Sequence, residues 1–373
     1  MIRAAVLALV GVGVGLVAPS PARADDEFGG GSVIFARGSA LYRSDPRGRE
    51  EKKLVDLPGT PHVRALRTDA RGQVLLADLD GSWYWMRLDG SATELTKLPC
   101  ADGPAQLAVD GRCVLCRSDE SATGSMIYNL ASGRSAPVSI PAPGARLVRE
   151  NAERRLIWAD ADGVWAAPPY APSKKQRVAP EAPLRSMLPS PDGMRAVGVF
   201  VDKIYEGRTK TKEAEQLMTF ALDGHAARRK AIKDAVPIEW SHDSQWVLVQ
   251  DRGSACIMGA RGGQYKCWKG FTGASISPDG RWALLLGKRE DTSEADKKSK
   301  KRASAKPKKE SQEPSGEAEN ATEDDEPIDD VEVAPPSGPL ALYRAKLEGA
   351  FTEKPARIIS NVEGAAVWVP APE

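Results

Sequence analysis

Short apolar runs alternate with polar turns along most of this chain. In "GASISPDGRWALLLGK", Gly273 to Lys288, one run closes on Ser-Pro-Asp-Gly and another starts at once. Pro presets φ at the second turn position, Ser and Asp bond nearby backbone, and Gly accepts the left-handed conformation that closes a bulged hairpin. The stretch reads as strand, tight turn, strand. A near copy, "MLPSPDGMRAVGVF", spans Met187 to Phe200. Weaker copies are "PIEWSHDSQWVLVQD" from Pro237, "RALRTDARGQVLLADLD" from Arg64, "AQLAVDGRCVLCRSD" from Ala105 and "RLVRENAERRLIWAD" from Arg146. With the turn acid as a marker, the series is Asp69, Asp110, Ala152 (in a degraded copy), Asp192, Asp243 and Asp279. The spacing is roughly 40 residues, the period of a four-stranded propeller blade. The one long interval, Asp192 to Asp243, holds "DKIYEGRTKTKEAEQ", read as a charged loop.

A second signal follows each copy: an aromatic or apolar strand, a Gly-containing turn, then a polar strand. Its instances are "ALYRSDPRG", "SWYWMRLDG", "MIYNLASG", "GVWAAPP", "LMTFALDG", "ACIMGARGG" and "LALYRAKLEG". The first has "SVIFARG" before it but no inner strand. The C-terminal "GAAVWVP", Gly364 to Pro370, is an inner strand with nothing after it. The two ends therefore complete one blade together, since an unclosed ring leaves two free sheet edges. The expected fold is all-β, a β-propeller of seven four-stranded blades closed by pairing of the N- and C-terminal strands.

Ser190-Pro191-Asp192-Gly193, Ser277-Pro278-Asp279-Gly280, Trp240 just before Ser241, and the "LYR" third strands at Leu41 and Leu342 resemble the TolB-like, or WD40-like (PD40), β-propeller repeats. The resemblance covers nearly all of the chain after residue 24. It implies an exported or periplasmic propeller that binds other proteins, and it also includes the propellers that cap prolyl-oligopeptidase-type enzymes. The chain departs from TolB itself in having no preceding α/β domain and seven blades where TolB has six.

The ends and the charge set the compartment. "MIRAAVLALVGVGVGLVAPSPARADDEF" has Arg3, an apolar run from Ala4 to Val17, and Ala22-Arg23-Ala24 as a small-x-small cleavage pattern. Residues 1–24 read as a secretory signal peptide, and residues 25–373 as the propeller. The apolar run is shorter than the ~20 residues a membrane span needs, so no transmembrane anchor is expected. The protein should be exported, to the periplasm or beyond, as a monomer. The chain has 52 basic and 51 acidic residues, and losing Arg3 and Arg23 leaves 50 basic against 51 acidic. That balance points to no nucleic acid or anionic membrane partner. Residues 290–337 break the pattern: a Lys-rich block precedes an acidic one, without aromatics. Such composition does not offset the entropy of ordering, so a disordered insertion is expected between the second and third strands of the last blade.

The chemistry-bearing residues are few. Cys256 and Cys267 flank "IMGARGGQYK" and should form a disulfide across a hairpin, although a two-residue turn at Arg261-Gly262 would put them at a hydrogen-bonded pair. Cys100 could reach Cys113 or Cys116. With Asp110-Gly111 turning the first strand into the second, Cys116 lies nearer and Cys113 is left as a buried thiol. Cys113-x-x-Cys116 has no matching second pair, and His62, His225 and His242 are the only histidines, so no metal or cofactor is expected. No G-x-S-x-G elbow occurs and no catalytic residue is assigned. The candidate binding residues are the inner-strand Arg64, Arg67, Arg149, Arg185 and Glu239, together with Trp83 and Trp85, which alternation sends to one face of a third strand. A cationic funnel suits an anion or an acidic protein tail. Trp158, Trp246 and Trp282 lie on second strands and are expected to pack between blades. The expected function is non-catalytic binding of an envelope protein or polymer through one propeller face. The alternative is a lactonase- or hydrolase-type propeller enzyme with its site at the channel mouth.

Overall fold

Each Ser-Pro-Asp-Gly stretch folds as a hairpin turn held by its own side chains. At Ser190 the backbone N–H donates to the Arg195 carbonyl (2.8 Å). The Ser190 hydroxyl accepts the Arg195 N–H (3.0 Å) and donates to Asp192 (2.5 Å). Ser241 with Asp243 and Ser277 with Asp279 repeat this geometry. Gly193 and Gly280 take φ of 70° and 68°, and Ser244 holds the same place at 58°.

These turns join the first two strands of blades in an all-β ring. The computed structural model describes residues 30–117, 125–138, 145–150, 153–160, 162–179, 184–206, 210–223, 228–229, 235–262, 264–288, 340–347 and 354–371. Blade 1 contains β1 (Ser32–Arg37), β2 (Ala40–Ser44) and β3 (Lys52–Asp56). Blade 2 is β4 (Val63–Thr68), β5 (Val74–Leu79), β6 (Ser82–Arg87) and β7 (Thr96–Lys97). Blade 3 is β8 (Gln106–Leu107), β9 (Cys113–Arg117), β10 (Ser125–Asn129) and β11 (Arg134–Val138). Blade 4 is β12 (Arg146–Glu150), β13 (Glu153–Asp160), β14 (Gly163–Ala167) and β15 (Gln176–Ala179). Blade 5 is β16 (Leu184–Pro189), β17 (Arg195–Glu206), β18 (Lys210–Ala221) and β19 (Arg228–Arg229). Blade 6 is β20 (Ala235–Trp240), β21 (Trp246–Asp251), β22 (Ser254–Gly259) and β23 (Tyr265–Lys269). Blade 7 is β24 (Phe271–Ile276), β25 (Trp282–Lys288), β26 (Leu340–Lys346) and β27 (Ala356–Val362). The last strand, β28 (Ala366–Val369), is the inner strand of blade 1, so there are seven four-stranded sheets, and the expected closure by the two ends is the one observed.

Alternation along the middle strands explains why they are apolar on both faces. On β5, Leu75, Ala77 and Leu79 pack toward blade 1, while Val74 and Leu76 pack toward blade 3. On β25, Leu284 and Leu286 face blade 1, and Ala283 and Leu285 face blade 6. One apolar layer lies between every pair of neighbours, and the seventh, with Phe35, Leu284, Leu342 and Trp368, joins blade 7 to blade 1. Trp158 is buried in the layer between blades 3 and 4, and Trp246 and Trp282 pack against their own layers, as second-strand tryptophans should.

Closure is fastened at both ends of the terminal ladder. Ser32 pairs with Val369 and Phe35 with Ala366. Trp368 Nε1 donates to the Gly30 carbonyl (2.9 Å). Arg37 donates to the Ser360 and Asn361 carbonyls and pairs with Glu51 (2.7 Å), while its guanidinium lies over Phe35 and Tyr42.

Three readings of the sequence need revision. First, Asp69 is not equivalent to Asp192. Its N–H bonds the Val74 carbonyl and its carboxylate accepts the Gln73 and Val74 N–H groups (both 2.7 Å), so it occupies the place of Ser190, two residues earlier. A carboxylate does the work of the hydroxyl there. Second, the charged stretch after Phe200 is mostly strand. β17 and β18 are each 12 residues long and pair from Arg195 opposite Ala221 to Glu206 opposite Lys210, a ribbon that outruns β16. Third, the Cys256–Cys267 hairpin has a longer loop. The Gly259 N–H donates to the Gln264 carbonyl, which shifts the alternation by one pair. The cysteines then fall at a close, non-hydrogen-bonded pair with Cα atoms 4.0 Å apart, and the disulfide forms.

The residues read as signal peptide (1–24) and charged insertion (290–337) lie outside the described residues, as does His225. β25 and β26 flank the insertion, at the junction of second and third strands. Among the described residues no helix is long and apolar enough to cross a membrane.

Neighbouring turns also touch. The Ala70 N–H donates to the Val109 carbonyl (3.2 Å), and a Cβ placed on Gly111 would lie 2.8 Å from Asp69 Oδ2 and 3.0 Å from Asp69 Cβ. The glycine is therefore required twice, by its φ of 67° and by the neighbouring turn. Gly38 has a similar φ of 56° but open space around it. We expect Gly38→Ala to cost about 1 kcal/mol in urea unfolding. Gly111→Ala should cost a further ~1–3 kcal/mol for overpacking. Equal costs would show that turn-to-turn contact contributes nothing.

Candidate functional site

The inner strands leave one edge unpaired toward the channel, and their backbone groups there need partners. Side chains two residues before each turn supply many of them. Arg67 in blade 2 donates to the Ala105 carbonyl of blade 3 (2.8 Å). Gln106 in blade 3 accepts the Leu147 N–H (2.7 Å) and donates to the Leu147 carbonyl (3.2 Å) in blade 4, standing in for a strand. Glu239 in blade 6 accepts the Ile276 N–H of blade 7 (2.9 Å). Trp240 Nε1 seals the Leu188 carbonyl of blade 5 (2.8 Å). The ring is thus stitched by side chains reaching to a neighbouring blade, forward from Arg67, Gln106 and Glu239 and back from Trp240.

Arg67 links the charges at this channel: it interacts with Glu239 and acts on Arg146 of β12. Water reaches Arg67 from the lumen while protein surrounds it otherwise; this desolvation lowers its pKa, and attraction to Glu239 and Asp78 opposes the shift. Arg146 on β12 is pushed down to about 10, first by desolvation and then by repulsion from Arg67. Glu239 is raised to about 7, chiefly by desolvation, against the Ile276 and Ser275 hydrogen bonds and the field of Arg67. His242, in the turn after β20, is partly buried and its pKa is lowered by desolvation, with Asp69 and Asp243 opposing. Blades 2, 4 and 6 therefore converge on the channel with two guanidiniums, one carboxyl and, at the mouth, one imidazole.

The predicted site residues divide clearly. Arg67 and Glu239 belong to this constellation. Arg64 is exposed at a bulge near the opposite end of β4, where it acts on Asp78. Arg149 on β12 and Arg185 at a bulge of β16 are on inner strands, with side chains outside the described residues. Trp83 and Trp85 do not form an exposed patch. Trp83 is buried and donates to the Gly103 carbonyl (2.7 Å), and Trp85 packs on the same layer between blades 2 and 3. The alternation that puts both on one face is right, but a neighbouring blade covers that face. Arg146 and Gln106 were missed; counting back from each turn anchor would have found Gln106, the equivalent of Arg67.

The remaining cysteines follow from alternation too. Cys100 and Cys116 form a disulfide in the layer between blades 2 and 3. Cys113 is a buried thiol on the other face of β9, toward blade 4, where Arg154 donates to its sulfur (3.1 Å). Burial raises its pKa despite that guanidinium. Cys113 and Cys116 therefore cannot act as one dithiol pair.

No family model and no curated protein matches the chain. Solved structures similar to it include a TolB of Acinetobacter baumannii (8% identity, 91% of this chain and 82% of that one, TM-score 0.46). A protein described as TolB of Agrobacterium tumefaciens is also similar (11% identity, 90% of each chain, TM-score 0.43). So is hydrazine synthase of Kuenenia stuttgartiensis (11% identity, 61% of this chain and 76% of that one, TM-score 0.42).

The Glu239 shift has a testable sign. Its folded pKa of about 7 lies above the unfolded value, so the folded state holds the proton more tightly. Stability should then fall as pH rises from the usual carboxylate range through about 7, and stay reduced above it. We expect the urea midpoint to drop between about pH 5 and about pH 8, and Glu239→Gln to remove most of that drop. An unchanged pH profile in the variant would place the titration elsewhere.

Proposed function

We propose that this chain is a non-catalytic, exported binding propeller of the cell envelope that takes an anionic partner segment, such as an acidic protein tail, at its channel. The observation that carries this reading is the pair Arg67 and Arg146 on inner strands of two blades, with Arg67 held against the Ala105 carbonyl and Arg146 feeling its charge. Bringing like charges together under partial desolvation is costly, and an arriving carboxylate offsets that cost through charge-assisted hydrogen bonds. Arg149 and Arg185 add cationic residues to neighbouring inner strands. Two disulfides suit an oxidising compartment.

The test is a titration of the full chain with poly-glutamate and poly-lysine at low and high salt. Poly-glutamate should bind, weaken with salt, and lose about tenfold to a hundredfold in affinity on Arg67→Glu. Equal binding of both polymers would overturn the proposal. Metal analysis of the protein with its disulfides intact should find less than one equivalent of Ca²⁺ or Zn²⁺. A full equivalent would favour the propeller-hydrolase reading instead.

A further inference from the structure

The Cys256–Cys267 disulfide has an unusual neighbour for a simple staple. Asp251, at the end of β21, places a carboxylate oxygen so that it and the two sulfurs all lie within 4.8 Å of one another. The register explains this. Cys256 stands opposite Val249 on β21 and opposite Cys267 on β23, so Asp251, two residues beyond Val249, shares their face. The Tyr265 hydroxyl, on the same face of β23 as Cys267, donates to Asp251 Oδ2 (3.0 Å) and fixes the carboxylate. Two sulfurs and an oriented carboxylate are a donor set for a thiophilic divalent cation, with a fourth position for water.

The two disulfides also differ in access. Cys100 and Cys116 are both buried, whereas Cys267 is exposed and only Cys256 is buried. Thiol–disulfide exchange needs a sulfur that the attacking thiolate can reach. An incoming thiolate therefore reaches Cys267 ahead of either sulfur in the layer between blades 2 and 3.

We propose that Cys256, Cys267 and Asp251 form a redox-gated metal site: a dithiol reductant opens the disulfide, and the two thiolates with the carboxylate then bind one Zn²⁺-like cation. The balance is simple. The reductant gives two electrons and two protons and becomes a cyclic disulfide; the protein gains two thiols, which release two protons to solvent when the metal binds. This proposal is independent of the channel and its anion.

The test uses the full chain. Brief treatment with dithiothreitol followed by alkylation should label Cys256 and Cys267 before Cys100 and Cys116, as mapped by mass spectrometry. Reduced protein freed of reductant under anaerobic conditions is then titrated with Co²⁺. We expect one equivalent to bind with thiolate-to-cobalt absorption, Zn²⁺ to displace it, and oxidised protein to bind none. Asp251→Asn should weaken Co²⁺ binding by more than about tenfold; it keeps both thiols and the shape, so it reports even if Cys256→Ser/Cys267→Ser misfolds. Prior labelling of Cys100 and Cys116, no cobalt spectrum in reduced wild type, or unchanged affinity in Asp251→Asn would each overturn the proposal.

Discussion

Every apolar layer in this molecule is shared by two blades, and that sharing is the constraint on which the rest depends. A single blade is apolar on both faces and buries neither alone. Each fully buried Leu or Phe side chain contributes about 1.5–3 kcal/mol only when the facing blade is present. Seven blades give seven layers only if the ring closes, and the layer with Phe35 and Trp368 exists because β28 pairs with β1. That ladder and the Arg37 clasp convert an array of hairpins into a closed body without free inner edges at its seam.

Closure creates a second problem, at the axis. The inner strands face a lumen where one row of backbone groups has no neighbouring strand. Arg67, Gln106, Glu239 and Trp240 answer it by reaching to the adjacent blade. The same placement puts guanidinium and carboxyl groups into a partly desolvated channel. Structural sealing and a charged lumen thus have one origin. Arg67 both holds blade 3 and sets the field that Arg146 and Glu239 experience.

Much of this is legible in the chain because a two-residue period and turn chemistry are local. Ser277-Pro278-Asp279-Gly280 specifies a hairpin wherever it occurs, and "GAAVWVP" without a successor points to its partner at the other end. What was misread depends on neighbours. Asp69 looks like the turn acid of the other copies, yet it fills the serine place because a carboxylate can accept the same N–H groups. Alternation puts Trp83 and Trp85 on the correct face, but only the adjacent blade shows that it is covered. The Cys256–Cys267 pairing is readable, while its place in the hydrogen-bonding alternation hinges on whether the loop closes at Gly259 or one residue later. Arg146 enters the channel group through the charge of Arg67, two blades away, which no spacing reveals.

The two rims of the ring differ in how much they can vary. On one, successive first turns lie against each other, Asp69 beside Gly111 and Asp243 beside Gly280. On the other, second strands pass to third strands, and the β17–β18 ribbon leaves from there; in sequence the charged stretch between β25 and β26 falls at a junction of the same kind. The ribbon enlarges one side of the disc while the opposite side keeps its interlocked geometry. Lineages of this architecture can therefore acquire appendages asymmetrically, and a fusion or label spliced after Arg252, where Gly253 has open surroundings, would use the same permissive side.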